Sequence, residues 1–214
     1  MIQNILVHTA REMGWLLTDE NILSFGSFAA ELKKWNRGMN LTAISSNNET
    51  AIKHFIDCLY LAPYVSNEDY LLDIGSGAGF PAIPVKIVKP EAQIVTVDSV
   101  AKKINFQRHM IRLLNLQGIT AIKSRVEDLQ EAYANKFSVI TSRAFTKLDH
   151  FVTLAAPLLA TGGRLIAMKG ADAEFEIAAS GDKFSKAGFA VTELHHYVLP
   201  CNMGKHSLVV LKGL

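Results

Sequence analysis

Over the first 67 residues, apolar positions recur at the three-to-four-residue spacing that lines one face of an α-helix. Ile2, Ile5, Leu6, Ala10 and Met13 form one such stripe. Thr18, followed by Asp19 and Glu20, has the chemistry of a helix start: a hydroxyl to accept a first-turn amide and acids to face the positive end of the dipole. It leads into a second stripe through Ile22, Leu23, Phe25, Phe28, Ala29, Leu32 and Trp35. A third helical region is expected to begin near Asn47 and to break before Pro63. From Tyr70 the pattern changes to short apolar runs ending near Ile74, Val97, Ile122, Thr141 and Met168, with helical stretches between them. Five strands alternating with helices predict a mostly parallel sheet covered on both faces. Two last strands, near 189–197 and 206–212, are separated only by Leu199-Pro200-Cys201-Asn202-Met203-Gly204, which suits an antiparallel hairpin at the edge of a seven-stranded sheet. The polar run Ser66-Asn67-Glu68-Asp69 sets the expected boundary between an N-terminal helical extension, 1–67, packed on the core, and an α/β domain, 68–214.

Composition narrows the class without naming a ligand. A chain of 214 residues that is 49% hydrophobic can bury a sizeable core in one globular unit. The net charge of +2 selects no partner, but its distribution does more. Residues 99–125 hold Lys102, Lys103, Arg108, Arg112, Lys123 and Arg125 and no acid, which suits either a phosphate-binding patch or a solvated helix face. Cys58 and Cys201 are too few for a disulfide framework, which favours a reduced, cytoplasmic compartment. The N-terminus lacks signal-peptide features, and no apolar run approaches a membrane span. No Cys/His/Asp grouping shows metal-ligand spacing, so no metal is expected.

The chemistry concentrates in Leu71-Leu72-Asp73-Ile74-Gly75-Ser76-Gly77-Ala78-Gly79-Phe80-Pro81, where an apolar strand runs through an acid into alternating glycines. Glycines permit positive φ and bring the backbone against a ligand. Dinucleotide enzymes use G-x-G-x-x-G to seat a pyrophosphate on a helix N-terminus. Here the third glycine comes one residue early, and Asp73 would face a cationic ligand better than a pyrophosphate. S-adenosylmethionine, with an ammonium, a sulfonium and no phosphate, fits this better than a nicotinamide. A glycine turn can also serve packing alone. Asp98 ends the second strand, about 20 residues beyond the turn, where a carboxylate accepts both ribose hydroxyls of an adenosine or caps the next helix.

Beyond the loop, further pieces occur in one order: Trp35-Asn36, Asn40-Leu41-Thr42, His54-Phe55-Ile56-Asp57, Ala62-Pro63-Tyr64, Ile83-Pro84, Pro90-Glu91-Ala92, Asp98-Ser99, Ser124-Arg125-Val126-Glu127, Ser142-Arg143-Ala144-Phe145 and Met168-Lys169-Gly170. Spanning about residues 35–170, they resemble the glucose-inhibited division protein B family, the bacterial methyltransferases of small-subunit ribosomal RNA. The departure is Ala82, where the family often has glycine. The resemblance implies a Rossmann-like class I S-adenosylmethionine-dependent methyltransferase that methylates N7 of a guanine in 16S ribosomal RNA. It places the cofactor against Gly75, Gly77 and Phe80, Val126 and Glu127 beside the adenine, and Arg143 near the methionine end.

Guanine N7 carries an in-plane lone pair, so its methylation requires no prior deprotonation; no general base is expected and no residue is assigned as catalytic. Arg143 is suited to clamp a carboxylate bidentately, to grip an RNA phosphate or to form a surface salt bridge. Lys169 is assigned to RNA contact. Trp35, beside Lys33, Lys34 and Arg37, suits either base stacking or the core, and His54 and Asp57, three apart on a helix, could face one another as a structural pair. His195 and His196 should point to opposite faces of a strand. Partners follow: 16S ribosomal RNA or the small ribosomal subunit, no DNA, no membrane, and a monomer. The alternatives are a methyltransferase acting on a small molecule or protein side chain, an RNA-binding protein without catalysis, or a nicotinamide enzyme.

Overall fold

The computed structural model describes residues 2–214. Helix α1 (Ile2–Glu12) and helix α2 (Asp19–Met39) follow the two apolar stripes, burying Leu6 and Ala10 from the first and Phe25, Phe28, Ala29 and Leu32 from the second. Thr18 caps α2 as its chemistry predicts, and Asn21 completes the cap by accepting the Thr18 amide. The third region is one continuous helical stretch that changes pitch, from α3 (Asn47–Glu49) through a π-helical turn (Thr50–Ile56) into α4 (Asp57–Leu59). Periodicity alone does not reveal a π turn, a form often found at functional sites.

The α/β part runs β1 (Tyr70–Ile74), α5 (Ala82–Val88), β2 (Gln93–Asp98), α6 (Ala101–Leu113), β3 (Ile119–Lys123), α7 (Gln130–Tyr133), β4 (Phe137–Arg143), α8 (Leu148–Ala155), β5 (Leu159–Lys169), α9 (Ala173–Lys186), β6 (Phe189–Val198) and β7 (Lys205–Gly213). The seven strands lie in the order β3-β2-β1-β4-β5-β7-β6. The first five are parallel, and β7 runs antiparallel between β5 and β6, so the expected hairpin forms the sheet edge. Period-two alternation divides the core between the two faces. Leu71, Ile94, Val139, Ile166 and Val210 pack against the N-terminal helices, α5 and α6. Their neighbours Leu72, Val95, Ile140, Leu165 and Val209 pack on the opposite side with residues of α8 and α9. The N-terminal helices thus close one face of the sheet and overhang the carboxyl ends of β1 and β4. Among the described residues, no helix is long and apolar enough to cross a membrane.

Candidate active site

The carboxyl ends of β1, β2 and β4 meet at the glycine turn, the position at which open α/β sheets bind ligands. Gly75 and Gly77 have φ of 70° and 57°, a left-handed conformation that costs a Cβ-bearing residue about 1–2 kcal/mol. The Gly75 and Ser76 amides donate to the Val97 carbonyl at 2.9 and 3.2 Å. The Gly77 amide donates to Asp98 Oδ2 at 3.0 Å. From α6 the buried Gln107 donates to Ser76 Oγ at 2.8 Å and to the Gly77 carbonyl at 2.7 Å, while its own carbonyl accepts from Thr96. Gln107 was not among the expected site residues. Its signal in the sequence is a polar side chain three residues from Ile104 and three from Met110, on the buried stripe of α6.

Asp73 lies beneath the turn rather than on an open wall. Its Oδ2 accepts the Ala82 amide at 3.2 Å, at the start of α5, and Oδ1 has no hydrogen-bond partner among the described residues. Full burial pushes its pKa well above the usual carboxylate range, against the pull of the Ala82 amide.

Beside the turn opens a cavity of about 470 Å³ whose walls include Gly75, Asp98, Val126, Glu127 and Phe145. Four of the seven expected cofactor residues therefore share one wall system, and Gly77 adjoins it through its bond to Asp98. A Cβ on Gly77 would meet nothing within 4 Å, so the turn leaves open space there. Asp98 Oδ1 also accepts the Val100 amide at 2.8 Å, and Lys103 stands 3.5 Å from Oδ2.

Phe80 and Arg143 lie together outside this cavity. The Phe80 ring is stacked between His54, at 4.3 Å between centroids, and Phe28, at 5.1 Å, with the Arg143 guanidinium 5.1 Å from its centre. Arg143 Nη1 donates to Asp57 Oδ2 and the Lys53 carbonyl, both at 3.0 Å, and Nη2 donates to His54 Nδ1 at 3.2 Å. His54 and Asp57 thus converge on Arg143 rather than on each other. Trp35 packs on Phe106 and His109 and donates to Glu31, at the edge of the core.

Residues 21–204 match the family described as rRNA small subunit methyltransferase G. A protein of that name from Geobacter sp. (strain M21) is 46% identical over 214 residues, covering 99% of each chain. The chain belongs to the rRNA small subunit methyltransferase G family. A more distant member, from Oceanobacillus iheyensis, is 35% identical over 209 residues, covering 96% of this chain and 88% of its own. Among solved structures, M. jannaschii TYW2 in complex with AdoMet shares the fold, with a TM-score of 0.58 at 14% identity over 75% of this chain and 76% of its own.

A second cavity of about 670 Å³ lies on the far side of Phe145. Its walls carry Lys53, His54, Asp57, Arg143, Lys169 and His206, with the apolar Ile44, Met168 and Met203. Asp57 is the hub. Its Oδ1 takes the Tyr197 hydroxyl at 2.8 Å and His206 at 3.0 Å, and Arg143 holds Oδ2. Burial opposes the Asp57 charge, but the His206 hydrogen bond and the Arg143 cation keep its pKa below the ordinary value. Burial and then Arg143 press the pKa of His54 down to about 3. Lys169 donates to the Thr146 carbonyl at 2.6 Å and to Glu176 at 2.8 Å. Tyr197 and His206 carry no local signal in the sequence because they lie 140 and 149 residues from Asp57 in the chain.

Proposed function

We propose that this protein transfers a methyl group from S-adenosylmethionine to N7 of a guanine in 16S ribosomal RNA, acting as a monomer on the RNA or the small ribosomal subunit. The observation that carries the reading is the pair of cavities meeting at the carboxyl ends of β1 and β4 in a chain of this family. The cofactor supplies an electrophilic methyl carbon on a sulfonium.

The residues of the first cavity suit that cofactor. A carboxylate has about four acceptor sites, so Asp98 retains capacity for ribose hydroxyls after accepting from Gly77 and Val100. Val126 and Glu127 flank the adenine, and the space over Gly77 admits the ligand against bare backbone. Arg143 uses three of its five N–H donors on Asp57, Lys53 and His54. The remaining two have no partner among the described residues and are left for the amino-acid carboxylate at the junction of the two cavities, since Arg143 lines the second and not the first.

The acceptor base enters the second cavity. Its N7 lone pair needs no base to expose it, so the protein's task is to hold nucleophile and methyl carbon in line within about 3–3.5 Å. Methylation leaves a cationic purine, and the ionised Asp57 in the cavity wall stabilises that charge. The test is incubation with labelled S-adenosylmethionine, unmodified small ribosomal subunits and 16S rRNA, followed by mapping of the labelled nucleotide. Labelled 7-methylguanosine at one position is expected; no incorporation into RNA would overturn the proposal.

A further inference from the structure

The donor and acceptor cavities have only Ala144 and Phe145 in common. The Phe145 ring stands directly on the glycine turn: a Cβ on Gly75 would lie 2.3 Å from Phe145 Cδ2. Resting on the reading above, the methyl must pass from one cavity to the other. An intervening ring needs about 3.5 Å of contact distance on each face, twice the separation that in-line attack allows. The ring must therefore leave this position before transfer.

The chain around it permits that movement. Before it, Arg143 is fixed by Asp57, Lys53 and His54. After it, Lys169 holds the Thr146 carbonyl and Glu176 accepts the Leu148 amide at 3.0 Å. Between these anchors Phe145 is 39% exposed, and Ala144 takes a φ of 49°, an uncommon conformation for a residue with a Cβ. With the donor side filled by cofactor, the space left to the ring is the acceptor cavity.

We propose that Phe145 is a positioning residue. It partitions the two cavities, is displaced when the cofactor enters, and then stacks on the acceptor guanine to hold N7 in line.

Three variants test this, with S-adenosylhomocysteine as the binding probe and unmodified small subunits as the substrate. Phe145→Leu keeps bulk and removes the aromatic face, so kcat/KM for subunits should fall about tenfold or more, the loss expected of one base–aromatic stack. Its S-adenosylhomocysteine affinity should be unchanged. Phe145→Ala should bind the probe more tightly, because no ring competes for the turn, yet methylate as poorly as the leucine variant. Phe145→Trp should restore methylation, and its emission should change when the probe is added. Wild-type kcat/KM in the leucine variant, affinity falling in step with activity, or a tryptophan whose emission ignores the probe would each overturn the inference. A wild-type protein that methylates no RNA would instead overturn the functional reading and the stacking role with it, while the emission change would still decide whether the ring moves.

Discussion

His54 shows how one buried ring records its surroundings. Arg143 can only donate, so His54 Nδ1 must accept and Nε2–H must donate to Thr42 Oγ1, 3.0 Å away. The ring is held as one neutral tautomer. Unfolded it would titrate near 6.5, folded only near 3. Below pH 6.5 the unfolded chain therefore binds a proton that the folded chain refuses. The stability from His54 is full above that pH and declines as pH falls toward 3, by about 1.4 kcal/mol per pH unit. Urea unfolding at pH 7.5 and pH 5 should show a loss of about 2 kcal/mol from this group, and His54→Gln should flatten the difference. An equal pH slope in the variant would refute the assignment. Asp98 gives a second expectation at this scale. Asp98→Ala removes the acceptor of the Gly77 amide and the proposed ribose partner, so S-adenosylhomocysteine affinity should fall about tenfold or more by calorimetry. Unchanged affinity would remove Asp98 from the site.

At the scale of elements, the N-terminal helices and the sheet share one core. Phe28 of α2 touches Phe55 of the π turn, Phe80 after the glycine turn and Phe106 of α6, with centroids 5.4, 5.1 and 5.9 Å away. Phe28→Ala should cost about 3–5 kcal/mol, and the wild-type chain should unfold in a single urea transition, because residues 1–67 and 68–214 bury each other's apolar faces. Two separate transitions would show that the extension folds by itself. The elements were legible in the sequence where a local pattern repeats, as in the stripes of α1 and α2 and the alternation of Leu71 and Leu72 between two cores. The glycine turn and Asp98 were legible for the same reason: a short motif fixes them. The Asp57 hub was not, since its partners arrive from β4, β6 and β7, and neither was the position of Phe145, which a loop rather than a period determines. The place of Asp73 before the glycines suggests a carboxylate facing a ligand, but α5 covers it, and there it accepts the Ala82 amide from full burial.

At the scale of the whole molecule, a net charge of +2 selects no partner by itself, so any electrostatic docking on RNA depends on where the charges are placed. In the acid-free stretch, Lys103 stands near Asp98 and Arg108 donates to the Ala121 carbonyl, whereas Lys102, Arg112 and Lys123 are exposed and outside both cavities. If these three meet RNA phosphates, each contact releases condensed counterion, and log KM for small subunits should rise with log salt by about 0.7–0.9 for every contact. Replacing Lys102, Arg112 and Lys123 together by Ala should lower that slope by about 2 between about 50 and 200 mM salt. Affinity for S-adenosylhomocysteine, measured in parallel, should not move, because none of the three lines the donor cavity. An unchanged slope would assign RNA docking to other cations, among them Lys53, Lys147 and Lys169 at the acceptor cavity.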